Sequence, residues 1–264
     1  IPVKQEYRGK FGGVVHDQSA SGQTLFIEPE AVLNLNNRQQ NLIAQEKQEI
    51  RNILKNLSGL AREEIDSINN IANALTRLDF LQAKAKLAKE MKASEPKLTQ
   101  DHSLELRNAR HPLIDPEKVV PNDIRLGGDF DTMLITGPNT GGKTITLKTA
   151  GLLQLMAQSG LFIPAEEGSK VGVFKEVYAD IGDEQSIEQS LSTFSSHIND
   201  IIAIMKNVDK ETLVLIDEIG AGTDPEEGAS LAISILDFLR KKDAKIMVTT
   251  HYPELKLYGY NRPR

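Results

Sequence analysis

A glycine-rich stretch, residues 137–144, has the residue types and spacing that bind phosphate. It reads GPNTGGKT, follows a short apolar run and precedes an amphipathic stretch. Glycines let the backbone wrap closely around phosphate oxygens, and the amides at a helix start point at negative charge. We therefore predict that Lys143 gives a positive charge to the β- and γ-phosphates of a nucleotide, and that Thr144 gives a hydroxyl to Mg²⁺. The predicted nucleotide-binding residues are Gly137, Pro138, Asn139, Thr140, Gly141, Gly142, Lys143, Thr144 and Ile145.

A pair of acidic residues, Asp217 and Glu218, ends an apolar run that reads LVLI. Ligands of open α/β sheets bind at the carboxyl ends of strands, so this pair is expected beside the phosphates. We predict that Asp217 holds Mg²⁺ through water, and that Glu218, which points differently, polarises the water that attacks the γ-phosphate. Two glycines and a proline follow closely, which favours a site loop over a plain solvated strand end.

Two further sites of phosphate contact are indicated by position. His251 comes directly after the next apolar strand candidate, where a ligand to the γ-phosphate is expected. With Glu218 and Lys143 it completes the predicted catalytic set. Ser192 and Thr193 open a predicted helix, and hydroxyls with free amides at a helix start form an anion site. Because the chain already has one phosphate loop, we expect this second anion site to serve the nucleotide of a neighbouring copy.

The elements that must position these residues lie in the last zone of the chain, residues 100–264. Short apolar stretches alternate there with helical stretches, which predicts an α/β fold with a parallel or mixed sheet and crossover helices. Strands are predicted at 132–136, 212–216 and 245–249, and helices near 143–158, 192–206 and 226–241.

The first zone, residues 1–29, is predicted to be a small β-rich piece. Its short apolar runs are separated by a turn signal at residues 19–22, which is typical of a meander. The exposed turn is either a contact loop or a plain solvated hairpin.

The middle zone, residues 30–99, is predicted to be helical. Apolar residues recur there at helical spacing in two stripes, 50–57 and 68–78. Ser58 and Gly59 lie between the stripes and are expected to end the first helix. Such long helices act either as a rod or lever, or as a helical subdomain packed on the core. A run of lysines near residues 84–97 is either a solvated face or a contact with a phosphate backbone.

Composition bounds the class of protein. The chain has 264 residues, a formal net charge of −6 and no cysteine. The charge argues against a surface that binds nucleic acid throughout, and the lack of cysteine rules out disulfides and cysteine zinc sites. No apolar run approaches the roughly 20 residues of a membrane helix, and no signal peptide opens the chain. We expect a cytoplasmic protein without a membrane partner, and a chain that is part of a longer one.

The order of the motifs resembles that of ABC-type ATPases of the MutS group, and its details resemble the second bacterial branch, MutS-two. The shared order is the phosphate loop, the helix start Ser192-Thr193-Phe194, the strand with its acid pair, the loop 222–225 and Thr249-Thr250-His251. The segment Arg110-His111-Pro112-Leu113 is MutS-like, and Thr140, the loop 222–225 and the segments 7–10, 16–22 and 26–29 are similar to the MutS-two branch.

The resemblance implies an ABC-type P-loop ATPase head, residues 100–264, preceded by a helical lever, 30–99, and a clamp-like end, 1–29. Such heads bind ATP or ADP with Mg²⁺ and pair head-to-tail as a homodimer. Ser192 and Thr193 would reach the γ-phosphate of the partner, and Asp224 would lie at the same seam. The family is associated with branched DNA, in suppressing homologous recombination, and with the rescue of collided ribosomes.

Two features depart from the family's pattern. The position at which the repair branch often stacks an aromatic side chain on adenine is aliphatic here, at Val119 and Val120. The chain also ends at Arg264, soon after His251, so the final strand, the dimer-locking helices and the nuclease domain of the family are expected to lie outside it.

Two other functions fit parts of the sequence. One is a nucleotide-dependent clamp, in which ATP serves as an assembly ligand and hydrolysis is incidental. The other is the head of a different ABC-type chromosome or repair protein with long coiled coils. In those proteins the helical arms interrupt the head after the phosphate loop, whereas the helices here precede that loop, which disfavours this alternative.

Overall fold

The computed structural model describes residues 1–138, 141–182 and 190–261, and for residues 190–193 it describes the backbone alone. The chain divides into two compact units, Ile1–Leu78 and Asp79–Arg264.

The first unit begins with a three-stranded antiparallel sheet in the order β1-β3-β2. The turn predicted at 19–22 is confirmed between β2 and β3. The predicted meander is wrong, because β1 pairs with β3 and not with β2. This pairing places Val3 beside Leu25 and Ile27 in a small apolar core, while a 3-10 helix carries the chain to the far edge. The elements are β1 (Pro2–Lys4), the 3-10 helix (Gln5–Lys10), β2 (Gly13–Gln18) and β3 (Thr24–Pro29).

Two long helices follow, α1 (Glu30–Glu63) and α2 (Ile65–Glu90), and neither buries a residue. At the usual helical rise α1 is about 51 Å long. The expectation that Ser58 and Gly59 end the first helix is wrong, since α1 continues to Glu63. A glycine inside a helix costs only about 1 kcal/mol, which the rest of a long helix absorbs. The interruption comes at Glu64 (φ −102°, ψ 12°), and hydrogen bonding resumes at once, because the Ile68 amide donates to the Glu64 carbonyl.

The second unit is built on a parallel four-stranded sheet in the order β7-β11-β10-β9, with a mixed sheet beside it in the order β4-β8-β5-β6. The predicted strands and helices of the zone 100–264 are confirmed to within two residues at each end. The strands are β4 (Lys97–Thr99), β5 (Leu104–Ala109), β6 (Asn122–Leu126), β7 (Thr132–Thr136), β8 (Lys170–Gly172), β9 (Glu176–Asp180), β10 (Thr212–Ile216) and β11 (Lys245–Thr250). The helices are α3 (Lys143–Gln158), α4 (Ser190–Asn207), α5 (Pro225–Arg240) and α6 (Pro253–Asn261).

The parallel sheet is covered on both faces, which explains why β10 is apolar from Leu213 to Ile216. Leu213 and Leu215 belong to a core shared with α3 and the mixed sheet. Val214 and Ile216 point the other way, into a core shared with α4 and α5. Successive residues of a strand face opposite sides, so a strand that is buried on both faces has apolar residues at consecutive positions. Among the described ranges, no helix has the length and hydrophobicity needed to cross a membrane.

Candidate functional site

The turn between β7 and α3 is described at its two ends, residues 137–138 and 141–142. Gly142 precedes the helix in the left-handed region, at φ 76°, and no side chain caps the helix start. A Cβ built on Gly137, Gly141 or Gly142 would meet nothing within 4 Å. The first turn of α3 carries no acidic residue. Among the described residues, the glycines before α3 thus have free space beside them and the first turn of α3 has no carboxylate, two features that favour anion binding at a helix start. Of the other predicted loop residues, Pro138 accepts the Gly141 amide, and Asn139 and Thr140 lie outside the described residues.

Lys143 connects this turn to the neighbouring strand. Only 4% of the residue is exposed. Its ammonium donates to the Gly137 carbonyl at 2.5 Å and lies 3.5 Å from the carbonyl of Thr250, the last residue of β11. The next two residues differ in exposure: Thr144 is half-buried and Ile145 is exposed.

The acid pair follows β10, and one threonine of β11 contacts both of its members. The Thr249 hydroxyl donates to the Asp217 carboxylate and accepts the Glu218 amide at 2.8 Å. The Asp217 amide in turn donates to the Asp180 carbonyl at 2.9 Å, at the end of β9. Glu218 has φ 48°, in the left-handed region that a residue with a side chain seldom adopts. The chain therefore turns sharply at Glu218, directly after Asp217.

The strand order brings the lysine and the acids together. β11 lies between β7, which leads into the glycine turn, and β10, which leads into the acid pair. β7 and β10 are therefore two strand spacings, or roughly 10 Å, apart. The last two residues of β11 contact both sides: Thr250 through its carbonyl to Lys143, and Thr249 through its hydroxyl to Asp217. The sequence did not single out Thr249, because only the pairing of strands 32 residues apart makes it a neighbour of the acids.

His251 lies exposed directly beyond β11, with its ring centroid 4.5 Å from that of Tyr252. Tyr252 is buried, and its hydroxyl donates to the Gly220 carbonyl at 2.9 Å in the loop after the acid pair. Burial is the main cause that raises the pKa of Tyr252, and the charges of nearby carboxylates add to it. Tyr252 therefore anchors the segment that carries His251, a role that sequence reasoning missed.

The residues predicted to serve a partner copy belong to two segments, the loop before α5 and the start of α4. Asp224 is exposed and caps α5, where its carboxylate accepts the Glu226 amide at 3.0 Å. Ser192 and Thr193 lie in the first turns of α4, but their side chains are outside the described part. The next residue, Phe194, packs against Gly222, where a Cβ would come within 3.3 Å of its side chain. The start of α4 and the loop before α5 are thus in contact within one chain.

A hydrogen bond between Asp180 and His197, which the sequence did not indicate, lies beside the acid pair. Asp180 ends β9, is 7% exposed, and pairs through Oδ1 with His197 Nδ1 of α4 at 2.7 Å. Burial is the main cause that raises the pKa of the Asp180 carboxyl, while the bond to His197 opposes that rise. A cavity of about 80 Å³ adjoins the pair and is lined by Phe194, His197, Asp217 and Glu218, among others.

A second cavity, of about 70 Å³, involves the segment where adenine contact was expected. Val119 lines it together with His111, Arg110 and other residues, whereas Val120 is 73% exposed. The pKa of His111 is lowered by burial and, to a smaller extent, by the charge of Lys148 on α3. The aliphatic Val119 thus shares this cavity with charged side chains and an imidazole, and adenine contact at this position stays a prediction.

The donors near the glycine turn fit a magnesium ion that is held mainly by phosphate. Among the described residues there is no cluster of three or more histidine, cysteine or acidic side chains that could hold a metal alone. Mg²⁺ is usually bound by one or two protein oxygens together with waters and substrate phosphates. The Thr144 hydroxyl, at the start of α3, and the Asp217 carboxylate, directly after β10, are oxygen donors of that kind.

Comparison with known proteins gives a consistent picture. Residues 133–261 match a family model described as MutS domain V. A protein named Endonuclease MutS2 from Lactobacillus helveticus is 98% identical over 264 residues, which are 100% of this chain and 34% of that protein. The proteins of the same name from Lactobacillus acidophilus and Geobacillus thermodenitrificans are 92% and 61% identical, again over 100% of this chain and 34% of their own length. The chain thus spans about a third of the length of the curated relatives it matches.

Proposed function

The chain belongs to the MutS2 family, and from this premise we propose that its second unit binds ATP with Mg²⁺ and hydrolyses it. One observation carries the proposal. The end of β11 contacts the lysine of an anion-binding turn on one side and an acid pair on the other. A nucleotide site needs positive charge for phosphate and carboxylates for metal and water within a few ångströms of each other.

The glycine turn and Lys143 bind the phosphates in this proposal. The amides of Gly142 and the first turn of α3 donate to phosphate oxygens, and Lys143 directs its ammonium at the β- and γ-phosphates. Its carbonyl partners on Gly137 and β11 hold the side chain over the turn beforehand. Thr144 and Asp217 would hold Mg²⁺, which supplies charge neutralisation on the β- and γ-phosphates when bound.

Glu218 orients the attacking water and accepts its proton in the proposed reaction. Its backbone is held on both sides, since its amide donates to Thr249 and its carbonyl accepts the Ala221 amide at 2.9 Å. His251 contacts the γ-phosphate from the end of β11, where its exposed ring can reach a ligand.

We further propose that two copies pair head-to-tail as a homodimer, with Ser192, Thr193 and Asp224 completing the partner's site. The exposure of Asp224 and His251 leaves both available to a second chain. The contact of Phe194 with Gly222 supports this proposal, because it brings the start of α4 next to the loop that leads to Asp224.

In the longer protein, we propose that the nucleotide state of the head (100–264) controls a grip on branched DNA or on collided ribosomes in the cytoplasm. The long helices of residues 30–99 would act as the lever and residues 1–29 as the clamp-like end. Two features support this proposal: the family membership, and helices of 34 and 26 residues that bury nothing. Hydrolysis would release the grip.

Replacement of Glu218 by glutamine tests the proposal. We expect Glu218→Gln to keep nucleotide affinity within about twofold and to lower turnover by a factor of about 10² or more, as expected for a positioned base. The measurements are fluorescent ADP or ATP binding and steady-state phosphate release, with Glu226→Gln, an exposed acid of α5, as the matched control. Lys143→Ala should abolish binding.

Unchanged turnover of Glu218→Gln would remove this residue from the catalytic role, and unchanged nucleotide binding by Lys143→Ala would refute the site. The same glutamine variant separates the two proposed uses of ATP. If ATP is only an assembly ligand for a clamp, the variant still supports partner binding and cellular function. If turnover releases the grip, the variant stays locked on its partner and fails in cells.

A further inference from the structure

We propose that His197 is a positioning residue for the ATPase reaction: through Asp180 it fixes the acid pair relative to α4. The inference rests on the proposed function, because it assigns a role at the same site. Neither His197 nor Asp180 belongs to the glycine turn, to the acid pair or to the residues proposed to serve the partner's site.

Asp180 contacts two elements through two different groups. Its backbone carbonyl accepts the Asp217 amide at 2.9 Å, and its side-chain carboxylate accepts His197 Nδ1–H at 2.7 Å. A shift of α4 that moved His197 would therefore pull on the residue whose backbone holds Asp217. The carboxylate is almost fully buried, so it cannot exchange this donor for bulk water.

A cavity lies between the start of α4 and the acid pair, which gives the polar bond its importance. This cavity of about 80 Å³ lies among Phe194, His197, Asp217 and Glu218, whereas apolar contact of α4 with this region comes one turn later, where Ile201 shares a core with Ile216 and Ile219. One turn earlier, Phe194 rests on Gly222 in the loop that follows the pair. The bond between His197 and Asp180 supplies the directional contact that packing lacks.

Two consequences follow for catalysis. The start of α4 carries the residues proposed to act on the partner's nucleotide, so its position is linked to Asp217 and Glu218 of its own chain. A link of this kind affects the alignment of water and metal more than the binding of phosphate, because the glycine turn and Lys143 belong to other elements. Loss of the bond should therefore lower kcat and leave nucleotide affinity nearly unchanged.

Two substitutions at the same position separate positioning from mere filling of space. His197→Phe keeps a ring but has no donor, and His197→Asn places an amide donor close to the position of Nδ1. The matched control is His16→Phe, because His16 also pairs with a carboxylate, that of Glu28 at 2.7 Å, but belongs to the first unit. Each variant is assayed for kcat, KM, fluorescent ADP affinity with Mg²⁺, and hydrogen exchange of the peptide that contains Asp217.

We expect His197→Phe to lower kcat about tenfold or more, the usual loss for a residue that orients a metal or catalytic ligand. Nucleotide affinity should stay within about twofold, and exchange at the Asp217 amide should become faster. His197→Asn should recover most of both losses, and His16→Phe should change neither.

A wild-type kcat in His197→Phe, equal behaviour of the phenylalanine and asparagine variants, or a parallel loss of affinity would each overturn the inference. Failure of the proposed function gives a different result, since the unsubstituted chain would then neither bind nor hydrolyse ATP. The exchange measurement needs no turnover, so it tests the link between His197 and Asp217 in either case.

Discussion

Replacing Thr249 with valine tests the most tightly held contact in the site. The side chain is fully buried, and its hydroxyl donates to the Asp217 carboxylate while it accepts the Glu218 amide. Valine has nearly the same shape, so packing stays and both hydrogen bonds are lost. The Glu218 amide is then left without its acceptor at a residue that already holds a left-handed φ of 48°.

The size of the effect can be worked from these contacts. A hydrogen bond to a charged group contributes about 1.5 to 3 kcal/mol, and a buried donor without a partner costs about 1 to 3 kcal/mol. Burying a methyl group in place of a hydroxyl returns about 1 kcal/mol. We therefore expect Thr249→Val to lower the free energy of unfolding by about 1.5 to 5 kcal/mol, against the roughly 5 to 15 kcal/mol of an ordinary domain. Thr249→Ser keeps the hydroxyl and loses one methyl group, for about 1 kcal/mol.

Urea unfolding followed by tyrosine fluorescence measures this difference in the second unit, because four of the five tyrosines, all but Tyr7, lie there. The midpoint should fall further for Thr249→Val than for Thr249→Ser while the m-value stays constant. The valine variant should also lose most of the Mg²⁺-dependent part of its nucleotide affinity, since Asp217 is no longer oriented. Equal midpoints for the two variants would refute the reasoning that the hydroxyl, and not the packing, holds the acid pair.

Two further predictions concern single carboxylates. Asp224→Ala should lower the free energy of unfolding, measured in urea, by about 1 kcal/mol because it removes the cap of α5, whereas Asp224→Asn should keep the cap. A change in turnover of the asparagine variant would therefore report a charge-dependent role of Asp224 at a partner's site. Equal stability of the two variants would contradict the capping role. The pKa of Glu105 is lowered to about 2, mainly by the hydrogen bond from Arg107 and next by that from Lys170. The stability that this carboxylate contributes is therefore fully present above its unfolded pKa of 4.5, and it is lost as the pH falls from 4.5 toward 2. Urea midpoints of the wild type and Glu105→Gln should therefore converge as the pH is lowered from 6 to about 3, and a constant difference would exclude this carboxylate.

The sequence alone determined the elements that carry the chemistry. The apolar run before Asp217, the glycine turn before Lys143 and the helical stripe after it are local patterns, and each predicts its element within a few residues. The residue types in the turn and the acid pair also indicate their chemistry, because few other side chains can hold phosphate and magnesium. These features do not depend on the order of the strands in the sheet, so the sequence alone is enough to predict them.

Only the tertiary structure decided which of these residues meet. The insertion of β11 between β7 and β10 makes Thr249 a neighbour of Asp217, and the packing of α4 across β9 pairs His197 with Asp180. The same limit explains the error in the first unit, where β1 pairs with β3. Strand order depends on which apolar faces can be buried together, and that is a property of contacts between distant segments. Local periodicity reports only which face of each segment is apolar, so the partners of Asp217 and Asp180 became visible only in the folded chain.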